Sequence, residues 1–501
     1  MFERRTSGIL LHPTSLPSPF GIGDLGKEAY KFIDFLVASQ QQIWQILPLG
    51  PTGYGNSPYL SYSALAGNPL LISLEKLVAD GLLSSSDLTN LPEFPADKVD
   101  YEKVIATKLP LLKLASKNFQ TKSDATIQAK LQEFGDRYSH WLDDYALFMA
   151  IKDELNNASW HTWPPEIANR QPEALVEWTA RLSQEVFYHK FTQFQFYSQW
   201  QELKHYANEK GIKIFGDIPI YVAHDSVDVW ANPSIFCLDP ETKEAALMAG
   251  VPPDYFSETG QLWGNPVYNW EELEKTHFKW WIQRIEATLE YVDLVRIDHF
   301  RGFESFWAVP QGETTAMVGK WILAPGEKFF TILKDKLGEL PIVAEDLGVI
   351  TPEVEALRDQ FKFPGMKILQ FAFDSDRANP FLPYNYTNRN CIVYTGTHDN
   401  DTTLGWWHNR NAEEQARVSD FLGFVCPEAI NWSLMRLAMS SVANMAIFPL
   451  QDVLSLGSDN RMNTPGVAEG NWQWRYHSLA LNSEIRDRLG HITYLYGRAP
   501  Y

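Results

Sequence analysis

Eight short apolar runs, several closing on an acidic or other polar side chain, recur along the 501 residues and restrict the chain more than any other feature. They are Gly8 to His12, Ile43 to Leu47, Ile212 to Asp217, Leu294 to Asp298, Ile342 to Glu345, Met366 to Phe371, Ile392 to His398 and Met445 to Leu450. Apolar runs of this length suit strands buried on both faces of a parallel sheet. Helical patterns lie between several of them. Phe278, Trp281, Ile282, Ile285 and Leu289 share one helical face just before the Leu294 run, and Thr351-Pro352 reads as a helix start after the Ile342 run. Strand alternating with helix means parallel pairing through right-handed crossovers, and eight such units predict a closed α/β fold, the (β/α)8 TIM barrel.

A barrel of this kind takes roughly 250 residues, so about half the chain is inserted elsewhere. The expectation is a single catalytic barrel spanning 1–501 with two inserted subdomains. One, about 71–210, is mainly helical and carries Trp141, Trp160, Trp163, Trp178 and Trp200, read as core. The other, about 222–276, is rich in loops and includes a segment at 250–266.

Composition excludes more than it identifies. A formal charge of −19 argues against nucleic acid, which needs a basic face to release counterions. Cys237, Cys391 and Cys426 are scattered and form no CxxC pair, so neither a disulfide framework nor a zinc site is expected. Met1 to Ile9 has no apolar core of signal-peptide length, and no stretch approaches the ~20 apolar residues of a membrane span. A cytoplasmic protein without membrane contact is the expectation, a monomer being favoured over an oligomer.

Several motifs mislead. Gly21-Ile-Gly-Asp-Leu-Gly26 spells GxGxxG, but Pro13, Pro17 and Pro19 stand where the preceding strand belongs, and no acidic residue follows at the required distance. Gly50 to Ser57 lacks the lysine of a phosphate loop. Asp399-Asn-Asp401 lacks the glycine and terminal glutamate of a calcium loop. No metal site is expected.

In a (β/α)8 barrel the active site lies at the carboxyl ends of the strands. Asp217, Asp298, Glu345 and His398-Asp399 close four different runs and so converge on one mouth. Taken singly, each has a structural reading: an internal Arg296–Asp298 pair, a salt bridge near Asp346, an Asx turn at Asn400. Together they supply what glycosidic cleavage needs, one carboxylate to attack the anomeric carbon and one acid to protonate the leaving oxygen. Arg296 and Asp298 are two apart and point to the same side of their strand, which suits Asp298 as nucleophile. Glu345, its pKa raised by a partly enclosed site and neighbouring carboxylates, suits the acid and later the base. Asp399 would bind sugar hydroxyls and help distort the ring.

Val295-Arg-Ile-Asp-His-Phe-Arg-Gly-Phe303, Ala344-Glu-Asp-Leu-Gly-Val-Ile350 and Thr395-Gly-Thr-His-Asp-Asn-Asp-Thr-Thr403 resemble the catalytic motifs of the amylomaltase family, also called 4-α-glucanotransferases or disproportionating enzymes, within the α-amylase clan. The likeness extends to Leu11-His-Pro-Thr-Ser15, Pro48 to Gly55, Gly216-Asp-Ile-Pro219, Gly250 to Gly260, Trp263-Gly-Asn-Pro266 and Gly470-Asn-Trp472. It implies transfer of an α-1,4-glucan segment to the 4-hydroxyl of glucose or another α-glucan by a retaining double displacement: Asp298 forms the glycosyl-enzyme, Glu345 is acid then base, and Asp399 stabilises the transition state. It implies sugar-binding roles for Arg296, His299, His398 and Asn471, and no metal or organic cofactor. Asp217 joins them as a substrate-binding candidate. The segment at 250–266 resembles the family's loop over the acceptor side, where Tyr255, Phe256, Gln261 and Trp263 could stack on glucan and exclude water; Tyr59 is a further acceptor candidate. The carboxylates alone do not separate transfer from hydrolysis, because water and a sugar hydroxyl attack the same intermediate.

Overall fold

The computed structural model describes residues 4–253, 257–374, 376–423 and 429–500. Those residues form twelve strands: β1 (Thr6–Leu10), β2 (Ile43–Gln45), β3 (Lys213–Pro219), β4 (Leu247–Val251), β5 (Gln261–Pro266), β6 (Leu294–Asp298), β7 (Ser305–Pro310), β8 (Lys320–Leu323), β9 (Ile342–Ala344), β10 (Gly365–Ile368), β11 (Cys391–Tyr394) and β12 (Met445–Pro449). Eight of them, one from each apolar run, form a parallel sheet in the order β10-β11-β12-β1-β2-β3-β6-β9. The two ends of that order, β9 and β10, come together where the Ala344 N–H donates to the Pro364 carbonyl at 2.9 Å. The sheet is thus a (β/α)8 barrel with one seam that lacks a ladder.

The strands are buried along almost their whole length, as apolar runs with a helix outside and side chains inside require. The helix Lys279–Tyr291 turns Trp281, Ile282 and Ile285 inward, and Arg284 from the same face donates to the carbonyls of Pro219 and Ile220, fixing the end of β3. The helix Pro352–Gln360 starts where Thr351-Pro352 predicts, although the Thr351 side chain makes no capping bond; the proline, with φ preset, suffices.

Between β2 and β3 the helices Tyr101–Lys122, Ala125–Glu154 and Ser183–Glu209 are the long elements. All five tryptophans singled out there are under a tenth exposed and serve as packing. Two glutamines dock the last of these helices on the strand-end loop: Gln193 exchanges both amide bonds with the backbone of Gly67, and Gln199 does the same with Ser73. That loop carries Tyr59.

A second sheet, antiparallel in the order β5-β4-β7-β8, lies outside the barrel ladder. It went unread in the sequence because its strands are short and carry Gly250, Gly264, Pro266 and Pro310, and because β4 and β7, which join its two hairpins, pair across the intervening barrel strand β6. Near the barrel's other closure Arg498, fully buried, donates to the carbonyls of Thr6, Met439, Ser441, Ala443 and Asn444, and this ring of acceptors compensates the guanidinium for the water it has lost. Among the described residues no helix is long and apolar enough to cross a membrane.

Candidate active site

Register sets the floor of the site. Asp217 on β3 lies opposite Arg296 on β6, and Ile297 lies opposite Ala344, so Asp298 and Glu345 emerge side by side one step further on. Arg296 is buried, and one guanidinium reaches two acids: Nη1 donates to Asp217 Oδ2 and Nη2 to Asp298 Oδ1, both at 2.6 Å. Those two carboxylates hold Arg296 as a cation well above the ordinary arginine range, against the opposing effect of burial. Burial raises the Asp217 carboxyl and Arg296 lowers it; its Oδ2 also accepts the Tyr59 hydroxyl at 2.7 Å. Asp217 Oδ1 is buried without a protein partner.

Glu345 sits half-buried just past the end of β9 and has a different environment. Its Oε2 accepts the backbone N–H of His299 at 2.7 Å, and its Oε1 that of Leu347 at 2.8 Å. Loss of water, with Asp298 close by, pushes its pKa up to about 8; Arg296 and the two backbone donors only partly oppose this. The shift favours the protonated acid over the carboxylate.

His299 makes its bond to Glu345 from a left-handed backbone (φ 55°, ψ 49°), which a side chain of its size adopts only where the surroundings impose it. Burial takes its imidazole down to about 4, so the ring is neutral, and the ring meets the edge of Trp263 with centroids 4.8 Å apart at 89°. Its Nε2 has no protein partner. Trp263 Nε1 in turn donates to Oε1 of the exposed Gln261 at the start of β5. Tyr255 and Phe256 lie outside the described residues.

The seventh run ends sooner than its sequence suggests. β11 stops at Tyr394, and His398-Asp399 stand on a loop folded by Asn400, whose Oδ1 accepts the N–H and hydroxyl of Thr397. The Asn400 turn read from the sequence is thus present, and it sets Asp399 beside His398. Asp452 on the chain after β12 anchors both ends of this loop, accepting the hydroxyls of Thr395 and Thr403 and the N–H of Thr403. His398 stacks on Tyr59 at 5.2 Å and 14°, with Nε2 3.3 Å from Asp399 Oδ1.

Three side chains at this wall escaped the sequence reading. Asn463 donates to Asp399 Oδ1 at 2.7 Å, and Arg461 donates to the Asp399 carbonyl at 3.0 Å. Trp472, φ 63°, packs against both Tyr59 and His398. Nothing in the local pattern announces Asn463 or Arg461, which sit on an irregular segment; Trp472 was visible only as the last letter of a shared motif. Asn471 is not brought to the carboxylates. Its amide accepts the N–H of Thr464 and donates to the carbonyls of Thr464 and Val467, so it shapes the segment that carries Asn463. Among the described residues no group of three or more His, Cys, Asp or Glu is placed to hold a metal ion.

Residues 11–482 match the family model described as 4-alpha-glucanotransferase, glycoside hydrolase family 77. The chain is 64% identical to a 4-alpha-glucanotransferase of Synechocystis over 100% of its length and 99% of the relative's, and 51% identical to one of Thermus thermophilus over 97% of each. Its fold superposes with TM-score 0.96 on an amylomaltase from Streptococcus agalactiae solved in complex with acarbose, at 43% identity, covering 99% of this chain and 100% of that one. With a barrel, a paired acid and carboxylate at its mouth and this likeness along its whole length, the chain belongs to the 4-alpha-glucanotransferase, or amylomaltase, family.

Proposed function

We propose the following division of labour for the 4-α-glucanotransferase reaction. Asp298 attacks the anomeric carbon of an α-1,4-glucan donor while Glu345 gives its proton to the departing 4-oxygen, leaving a glycosyl ester on Asp298. The 4-hydroxyl of glucose or another α-glucan then attacks the anomeric carbon from the face opposite Asp298, Glu345 takes its proton, and the bond from that carbon to Asp298 breaks to release the carboxylate. The observation that carries this reading is the pairing of a carboxylate beside Arg296 with a carboxyl raised to about 8 on the neighbouring strand end. Esterification removes the charge of Asp298, one of the causes that raise Glu345, so the same residue becomes easier to ionise when a base is needed.

Asp399, with His398 and Asn463 beside it, binds ring hydroxyls and favours the distorted ring. Asp217 and His299 offer buried polar atoms without protein partners, Oδ1 and Nε2, to the same sugar. Trp263 and Gln261 are assigned to the acceptor side, a role the family resemblance extends to Tyr255 and Phe256, where stacked glucan displaces water and favours transfer over hydrolysis. Tyr59, the other acceptor candidate, is bonded to Asp217 and stacked on His398, beside the residues assigned to the attacked sugar. Asn471 acts through the segment it folds. The acidic balance and unpaired Cys237 and Cys391 support a cytoplasmic site of action.

The test is a product profile from maltotriose alone, with Asp298→Asn in parallel. Glucose plus a ladder of longer oligosaccharides, absent from the variant, supports the assignment; glucose and maltose without longer products would make the protein a hydrolase.

A further inference from the structure

Glu345 is the first residue beyond β9, and β9 is laddered on one side only. Toward β6 it is paired through three positions, and the Glu345 N–H continues that ladder to the Ile297 carbonyl at 3.1 Å. Toward β10 there is no ladder, and the Ala344–Pro364 bond stands beside a side chain. That side chain is Asp346. Its carboxylate crosses the seam, where Oδ1 accepts the Met366 N–H of β10 at 2.7 Å and Oδ2 pairs with Arg358 Nη1 at 2.5 Å from the helix Pro352–Gln360. β10 makes room for it: a Cβ on Gly365 would stand 2.2 Å from Asp346 Oδ2. The Asp346 side chain is 4% exposed and faces the seam, so it does not touch a substrate in the cleft.

On these grounds we propose that Asp346 is a positioning residue for Glu345, closing the barrel seam in place of ladder hydrogen bonds and fixing the backbone from which the acid reaches the cleft. The inference rests on Glu345 being the acid and base. A carboxylate at this position serves both partners across the seam, one oxygen accepting the Met366 N–H and the other pairing with Arg358. Leu347, immediately after Asp346, supplies one of the two N–H donors that orient Glu345, and His299 supplies the other from the β6 side. Release the seam and those two donors no longer keep a fixed spacing, so the carboxyl loses its aim. A displacement of about 1 Å at a reacting group costs on the order of 10²-fold in rate.

The experiment compares two donor reactions. Cleavage of maltotriose needs a proton from Glu345 and then a base. With α-maltotriosyl fluoride as donor and azide as acceptor, the C–F bond breaks as the Asp298–C1 bond forms, fluoride leaves without protonation, and azide displaces Asp298 without losing a proton; neither step needs Glu345. Asp346→Ala is expected to lose about 10²-fold in kcat on maltotriose with KM little changed, yet to run the fluoride–azide reaction near the rate of the unaltered protein; Glu345→Ala, run as the control for a reaction that bypasses the acid, is expected to retain it as well. Gly365→Ala, which displaces the carboxylate instead of removing it, should show the same pattern and carries the comparison if Asp346→Ala does not fold. In the double variant the two effects should not add. Equal losses in both reactions would mean general damage to the site and overturn the proposal, as would full activity of Asp346→Ala on maltotriose. A Glu345→Ala variant slow with fluoride and azide would overturn the role of Glu345 itself, and this inference with it.

Discussion

Asp298 and Glu345 leave neighbouring strands at the same height, yet the protein surrounds them with opposite things. Asp298 faces a buried guanidinium at 2.6 Å that is shared with Asp217. Glu345 faces two backbone N–H groups, a half-dry pocket and the charge of Asp298, and its pKa rises to about 8. Arg296 bonds Asp298 directly but reaches Glu345 only as a more distant charge, which with the two N–H donors does not offset burial beside Asp298. Two residues upstream the strands differ as well: Arg296 on β6 stands against the apolar Val343 at the same register on β9, and this is the difference on which the proposed division into nucleophile and acid rests.

If that contrast is right, the largest loss comes from deleting the anion. Asp298→Asn should lower glucose release from maltotriose on the order of 10⁴-fold or more; activity within tenfold of normal would break the comparison at once. Glu345→Gln should cost roughly 10²- to 10⁴-fold. The pH profile sharpens it. The active form of Glu345 is protonated, so kcat/KM should fall as pH rises through about 8, and any residual activity of the Gln variant should lack that limb. A limb that survives the substitution belongs to another group.

Arg296→Lys tests the cation's shape. A lysine is charged but offers a single head in place of a fork spanning two acids, and a loss of about 10²-fold is expected from misplacing Asp298. Recovery to near-normal rates would show that charge alone matters. Asn463→Ala removes one bond to Asp399, about 1.5 kcal/mol for a charged acceptor, hence roughly tenfold in kcat/KM. Tyr59→Phe should be the mildest, a few-fold, because Asp217 keeps Arg296 and the ring keeps its stack on His398; the net worth of such a bond is about 1 kcal/mol.

The barrel was legible because buried parallel strands leave an uninterrupted apolar signature, and the acids were legible because they follow it: Asp217, Asp298 and Glu345 each sit within a residue of a strand or inside it. Asp399 was found for a less sound reason, since its strand ends five residues earlier and an asparagine turn presents it. Asn463 and Arg461 were invisible. They owe their position to a segment folded by Asn471 and by the Trp472–Met462 backbone bond, and such irregular geometry has no period to read. The sheet of β4, β5, β7 and β8 was hidden for a related reason: two short hairpins, β4–β5 and β7–β8, are joined by a β4–β7 pairing that skips over β6, and no local pattern encodes that partner.

The pairing of β1 with β12 sets Thr6 against Met445, and Arg498 bonds the carbonyls of Thr6 and of Asn444, the residue just before β12. Contacts so distant in sequence close slowly, because the loop entropy is lost before the contact repays it. On a ribosome the first strand of the barrel waits, one edge bare, until nearly the whole chain has emerged. The apolar surface that makes this cleft rigid is thus also the surface most in need of protection while the protein is made.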